Sequence, residues 1–286
     1  MAKDRWPQLC ELYKSDDRLP TRKVGRWTED KLFFWNRYIE ITTGAMVGHP
    51  KWPAGLVYVD LFAGPGICEL EDSGRRMPGS ILIAANAPKP FSRIIASEME
   101  SKLATALETR LKLTPVANLA KVFRGDCNVC IDKMVGEIPP RALTLAFIDP
   151  ENLNVAFETI RKLSACGQVD LLILFADRMD LVRNVDLYER QQPSVLDRVM
   201  GADSDWRGQW NQLANRTPEN ICRLFADEFK QQLRRRLGYV VFGEKVISSE
   251  KAPLYRLIFA SKNEKGLEFW NKITQKDRGG QMNLGF

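Results

Sequence analysis

The sequence predicts an α/β fold built on a mostly parallel sheet, and three observations carry that reading. Short apolar runs at 56–61, 93–97, 120–123, 143–148 and 170–175 alternate with segments of helical periodicity. The first run ends in an acid and a glycine turn, Asp60-Leu61-Phe62-Ala63-Gly64-Pro65-Gly66. Two further strand-like runs, 239–247 and 254–260, are separated only by Ser-Ser-Glu-Lys-Ala-Pro, short enough for an antiparallel pair.

Taken in order, residues 1–27 are polar, contain Pro7 and Pro20, and read as an extended or partly ordered lead-in. Thr28-Glu29-Asp30 reads as a helix start, a hydroxyl cap followed by acids. Leu32, Phe33, Trp35, Tyr38, Ile39 and Thr42 then recur at spacings of three and four and predict one buried helix face, ended by Gly48-His49-Pro50. In the first strand Val57, Val59 and Leu61 are apolar and Tyr58 is a good strand former, with Asp60 at the carboxyl end. Gly64 and Gly66 let the turn pass close to a ligand.

Residues 67–78 read as a polar loop, and Pro78-Gly79-Ser80 opens a helix over 81–87. Helices are expected over 100–113, after Asn128 and over 155–165, each between two strands. The run 170–175 is apolar enough to be covered on both faces. Beyond residue 178 the pattern turns helical, including 193–200 and 218–237, with Trp206 and Trp210 at helical spacing as core residues. A last helix is expected over 265–273. Five parallel strands closed by an antiparallel pair is the order of a Rossmann-like class I methyltransferase sheet. The expected layout is a lead-in at 1–27, a methyltransferase-like domain at 28–274 with an N-terminal helix and a helical insert at about 179–237, and a flexible tail at 275–286.

Composition narrows the function classes. The 286 residues are 44% apolar and 27% charged, the balance of an ordinary soluble protein. No apolar run reaches the roughly 18 residues that span a bilayer, and the first residues carry no apolar secretory segment. No membrane association and a cytoplasmic location are therefore expected. The net charge of +6 permits a polyanionic partner. Basic clusters stand at Arg18, Arg22, Lys23 and Arg26, at Arg75-Arg76 beside the glycine turn, and at Arg234-Arg235-Arg236, where a helix C-terminus is the simpler use. Six cysteines include one Cys-x-x-Cys, Cys127 to Cys130. A zinc site would need two further ligands and His49 is the single histidine, so no metal is expected.

Four strand ends carry acids, and in open α/β sheets ligands bind at those ends. An acid ahead of the turn suits a ligand with a protonated amine rather than a pyrophosphate; S-adenosylmethionine is such a ligand. Asp60 ends the first strand. Glu98 ends the second, where a carboxylate can accept both ribose hydroxyls of a nucleoside. Asp126 ends the third, where it can accept from an adenine amino group. Asp149, followed by Pro150, ends the fourth and faces the reacting sulfonium. If the target is an exocyclic base amine, Asp149 and the Pro150 carbonyl are placed to accept its two N–H groups, and the base must leave its stack.

These residues resemble the three-Cys-motif partner protein family over about residues 28–274. The likeness rests on Lys31 with Tyr38, the run from Tyr58 to Gly66, Gly79-Ser80, Gly125-Asp126-Cys127-Asn128, Phe147-Ile148-Asp149-Pro150, Gly201 with Trp206, the run from Tyr255 to Ser261, and Gly266 with Trp270. It implies a class I methyltransferase fold and a partner resembling radical-SAM enzymes. The sequence is more distantly similar to bacterial 23S ribosomal RNA adenine-N6 methyltransferases. By position, this implies cofactor contacts from Ser80, Glu98 and Asp126, Lys31 near the cofactor carboxylate, and a catalytic Asp149. Phe62, Ala63, Gly64, Gly66 and Cys127 complete the expected cofactor contacts. One departure stands at Glu151-Asn152, where adenine-N6 enzymes carry a proline and a stacking aromatic; no aromatic follows here until Phe157. The expected activity is methylation of nucleic acid, RNA or DNA, with an adenine amine favoured. The alternative is a weakly catalytic or non-catalytic module that binds a radical-SAM-like three-Cys-motif protein.

Overall fold

The computed structural model describes residues 5–150, 152–249 and 252–275. The chain opens with α1 (Trp6–Leu12), β1 (Arg22–Val24) and the long helix α2 (Trp27–Met46). The first half of the main sheet follows as β2 (Leu56–Asp60), a small hairpin of β3 (Ile67–Leu70) and β4 (Arg76–Pro78), α3 (Ser80–Ala85), β5 (Arg93–Glu98), α4 (Ser101–Leu111) and β6 (Ala120–Arg124). Helix α5 (Cys127–Val135) carries the chain back to β7 (Leu143–Ile148), α6 (Phe157–Ser164) and β8 (Gln168–Phe175). A π-helical turn, Asp177–Leu181, leads into the insert helices α7 (Val182–Arg190), α8 (Val195–Met200), α9 (Trp206–Gln212) and α10 (Pro218–Leu237). The strands β9 (Val241–Ser248) and β10 (Pro253–Ser261) and helix α11 (Glu264–Thr274) close the fold.

The main sheet runs β6-β5-β2-β7-β8-β10-β9. Its first five members are parallel, and β10 is antiparallel to both β8 and β9. This is the expected α/β class and strand order. Every residue of β2 and β7 is buried, which is why these strands read as continuous apolar runs rather than alternating ones. The chain advances outward from β2 through β5 to β6, then jumps back to β7. The crevice outside the carboxyl ends of β2 and β7 is therefore the topological switch point, where open sheets bind ligands.

Helix α2 lies along this sheet and is pinned at each turn. Trp35 stacks on Phe147 with centroids 5.1 Å apart, and its Nε1 donates to the Tyr58 hydroxyl at 2.9 Å. One turn on, the Tyr38 hydroxyl donates to Asp170 at 2.8 Å. One turn back, the same spacing sets Lys31 at the carboxyl rim of the sheet.

Three expectations are corrected. Thr28 is not a cap: α2 starts at Trp27, Arg26 occupies the N-cap without a side-chain bond, and Thr28 is buried inside the first turn. The lead-in is ordered where described, with Trp6 and Leu9 buried and β1 paired in parallel with β3. The segment 67–78 forms two strands rather than a polar loop, giving a second sheet of order β1-β3-β4. Arg75 and Arg76 belong to that scaffold. Arg75 pairs with Glu29, and Arg76 bonds Asp16, Asp17 and the Ser15 carbonyl. Of the expected tail, residues 276–286 lie outside the described residues, as does Glu151. Among the described residues no helix is long and apolar enough to cross a membrane.

Candidate active site at the switch point

The turn after β2 is held by hydrogen bonds to its backbone. Leu61 N donates to Phe147 O at 3.2 Å, and Ala63 N donates to Ser97 O at 3.0 Å. Phe62 N donates to Asp60 Oδ1 at 3.2 Å and Gly64 N to Glu98 Oε2 at 2.9 Å. Arg110 Nη1 reaches the Pro65 carbonyl at 2.6 Å. Gly64 and Gly66 take φ of +61° and +87°, a region that disfavours residues with a Cβ. A Cβ on Gly66 would also meet Leu107 at 3.1 Å. The turn thus leaves few buried donors unmet and keeps one face of its backbone bare.

The four acids divide into two kinds. Asp60 is fully buried and lines neither cavity of the crevice. It accepts from the Ser80 hydroxyl at 2.6 Å, the Tyr58 hydroxyl at 3.1 Å and Phe62 N. Burial pushes its carboxyl up to about 7, against the pull of those donors. Residues 58 and 60 share one face of the strand by the period of two, and that face lies under α2. The aromatic neighbour two residues back was the available sign that Asp60 points into the core.

Glu98, Asp126 and Asp149 do line the crevice. Glu98 accepts Gly64 N and, at Oε1, Glu100 N at 2.8 Å, so each oxygen keeps a lone pair. Asp126 caps α5 through Oδ1, which accepts Asn128 N at 2.8 Å and Asn128 Nδ2 at 2.9 Å. Its carboxylate also accepts from the Cys127 thiol. Asp149 is ion-paired with the buried Lys31 ammonium, which also stands 5.8 Å from the Tyr255 ring centroid. Pro150 is buried and lines neither cavity of the crevice.

The crevice is a pair of adjoining cavities. One, of about 240 Å³, is lined by Glu98, Met99, Asp126, Cys127, Asn154 and Arg198 among others. The other, of about 50 Å³, is lined by Lys31, Ala63, Gly64, Gly66, Cys68 and Ser80 among others. Phe62, Asp149 and Arg22 border both. Burial pushes the Cys127 thiol up to about 12, with the Asp126 charge adding to it, and the Cys68 thiol up to about 11. Both are therefore neutral, apolar lining. All six cysteines are free thiols, and no cluster of three or more His, Cys, Asp or Glu stands ready for a metal among the described residues. His49 is exposed at the far end of α2, beside a different cavity.

Sequence reasoning missed three contributors. Arg22 reaches the crevice only because β1 pairs with β3, an arrangement too short to leave a periodic signal. Asn128 ties the segment after Pro150 to α5: it donates to Asn154 O at 2.9 Å and accepts Ala156 N at 2.9 Å and the Thr159 hydroxyl at 2.7 Å. Its place after Gly125-Asp126 was the sign. Arg198 comes from the insert helix α8, far along the chain.

No protein-family model matches the chain, and no curated protein matches it. Solved structures do. It is similar to the O-methyltransferase from Bacillus cereus in complex with SAH, at 10% identity over 92% of each chain with a TM-score of 0.48. It is similar to the O-methyltransferase TomG from Streptomyces achromogenes in complex with SAM, at 13% identity over 92% of this chain and 100% of that one, TM-score 0.45. It is similar to the METTL16 MTase domain at 12% identity over 90% of this chain and 78% of that one, TM-score 0.47.

Proposed function

We propose that the protein is an S-adenosylmethionine-dependent methyltransferase acting on nucleic acid, with an adenine amine as the favoured acceptor. The observation that carries the reading is the position of Asp149: it stands where the two cavities meet, at the carboxyl end of β7. The residues present fit the cofactor. Glu98 and Asp126 offer the larger cavity free acceptor lone pairs for ribose hydroxyls and an adenine amine, and Cys127 offers it an apolar wall. The smaller cavity has the backbone of Gly64 and Gly66, both at positive φ, and the Lys31 ammonium, whose three donors exceed the one Asp149 needs. When bound, the cofactor supplies a methyl already activated on its sulfonium.

The protein's share is then position and charge. Lys31 keeps Asp149 in place as a hydrogen-bond acceptor. Asp149 Oδ1, without a partner among the described residues, accepts one amine N–H and so orients the nitrogen. A second acceptor comes from the Pro150 carbonyl or from the Asn154 amide, which lines the same cavity. The test is transfer of labelled methyl to RNA or DNA, lost in Asp149→Ala. Label that never enters any nucleic-acid pool, although the cofactor binds, overturns the reading.

One observation favours the second reading, a methyltransferase-like module of the three-Cys-motif partner type that docks a radical-SAM-like protein. The chain after Pro150 gives the crevice no stacking ring: Asn152 is exposed, and Phe157 packs against Gly201 and Phe229. Co-purification with such a protein, unchanged in Asp149→Ala, supports this reading; a protein that methylates without one counts against it.

A further inference from the structure

A separate cleft of about 770 Å³ lies between the first turn of α6 and the insert segment 193–203. That volume lies within the roughly 300–1,000 Å³ usual for ligand sites. Arg198 borders both this cleft and the larger cavity of the crevice.

The other charges of the cleft are committed. Arg161 pairs with Glu158 at 2.5 Å, Arg236 with Asp203 at 2.7 Å, and Asp197 with Arg207. Arg198 is exposed and has no partner among the described residues. Its backbone is nonetheless firmly placed. Helix α8 starts with a reciprocal capping box between Ser194 and Asp197 and buries Leu196, Val199 and Met200. An uncommitted guanidinium on an anchored helix, at the mouth of a recessed carboxylate, is a fork for an oxyanion, and its planar donors match phosphate bidentately.

We propose that Arg198 holds a backbone phosphate of a single-stranded nucleic acid, with the nucleotide on one side presented to Asp149 and the neighbouring strand lying in the wide cleft. The assignment rests on the methyltransferase reading for the role of Asp149. A single strand is specified because Asp149 is recessed, so a base must be out of its stack to reach it.

The test titrates a labelled single-stranded oligoribonucleotide of mixed sequence against wild type, Arg198→Ala, Arg198→Lys and Lys272→Ala over a range of salt concentrations. Lys272 is exposed on α11 and pairs with Glu268, so it controls for loss of net charge alone. Arg198→Ala is expected to weaken binding about tenfold and to lower the slope of log affinity against log salt by about 0.7, the loss of one phosphate contact on a single strand. Arg198→Lys restores the slope but only part of the affinity, and Lys272→Ala changes neither. Wild-type affinity and slope in Arg198→Ala overturn the inference. So does displacement of the oligonucleotide by polyglutamate at equal charge, which would make the partner an acidic protein. Calorimetry with S-adenosylhomocysteine on the wild type separates the two readings. Cofactor binding without any oligonucleotide binding ends the Arg198 assignment and leaves the methyltransferase standing. Oligonucleotide binding through Arg198 without cofactor binding does the reverse.

Discussion

Burial holds the Asp60 carboxyl up at about 7, and this has a consequence for stability. A carboxyl whose folded value lies above its unfolded value keeps its proton more firmly in the folded chain. Its contribution is complete below about pH 4 and is lost as pH rises through 7, a difference of at most about 4 kcal/mol at about 1.4 kcal/mol per unit. Asp60→Asn cannot titrate. Urea unfolding from pH 4.5 to 8 should therefore show wild type losing stability relative to Asp60→Asn by about 1–4 kcal/mol; a constant difference contradicts the assignment. An acid ahead of a glycine turn was legible in the chain, and so was its neighbourhood at the strand end. Its task was legible only through Tyr58 two residues back, because the Trp35 bond that fixes Tyr58 comes from α2, a tertiary partner.

At the scale of elements, the five parallel strands were readable because burial on both faces leaves continuous apolar runs. The small sheet was not: β1, β3 and β4 have three or four residues each, too few for a period, and side chains from elsewhere hold them. Arg110 of α4 is the main tie. It bonds Asp17 twice and the carbonyls of Leu19, Pro20 and Pro65, so one buried guanidinium joins the lead-in to the glycine turn. Burial raises the Asp17 carboxyl, but the bonds from Arg110 and Arg76 outweigh it and hold the group well below its usual range. This contribution is present above the unfolded value and is lost as pH falls into strong acid. Arg110→Ala strands three carbonyls, leaves the Asp17 carboxylate to Arg76, and should cost about 3 kcal/mol. Protease should then cut first within 16–24. Unfolding within about 0.5 kcal/mol of wild type, with no new cut, would show that other contacts hold the strap.

Across the molecule, the chain reverses its advance once, between β6 and β7, and that reversal opens the crevice at the switch point. Glu98, Asp126 and Asp149 come to its walls from three strand ends, while Asp60 supports the floor from beneath. Arg22 and Arg198 come to the larger cavity from distant parts of the sequence. The central claim is that this crevice is shaped for an adenosyl sulfonium. Titration calorimetry with S-adenosylhomocysteine tests it most directly, run on wild type and on Gly64→Val, in which a branched side chain meets a positive φ and the Arg22 guanidinium. The account predicts one site per chain in wild type and its loss in a folded Gly64→Val. No heat with millimolar ligand, or equal binding by the two proteins, would contradict it.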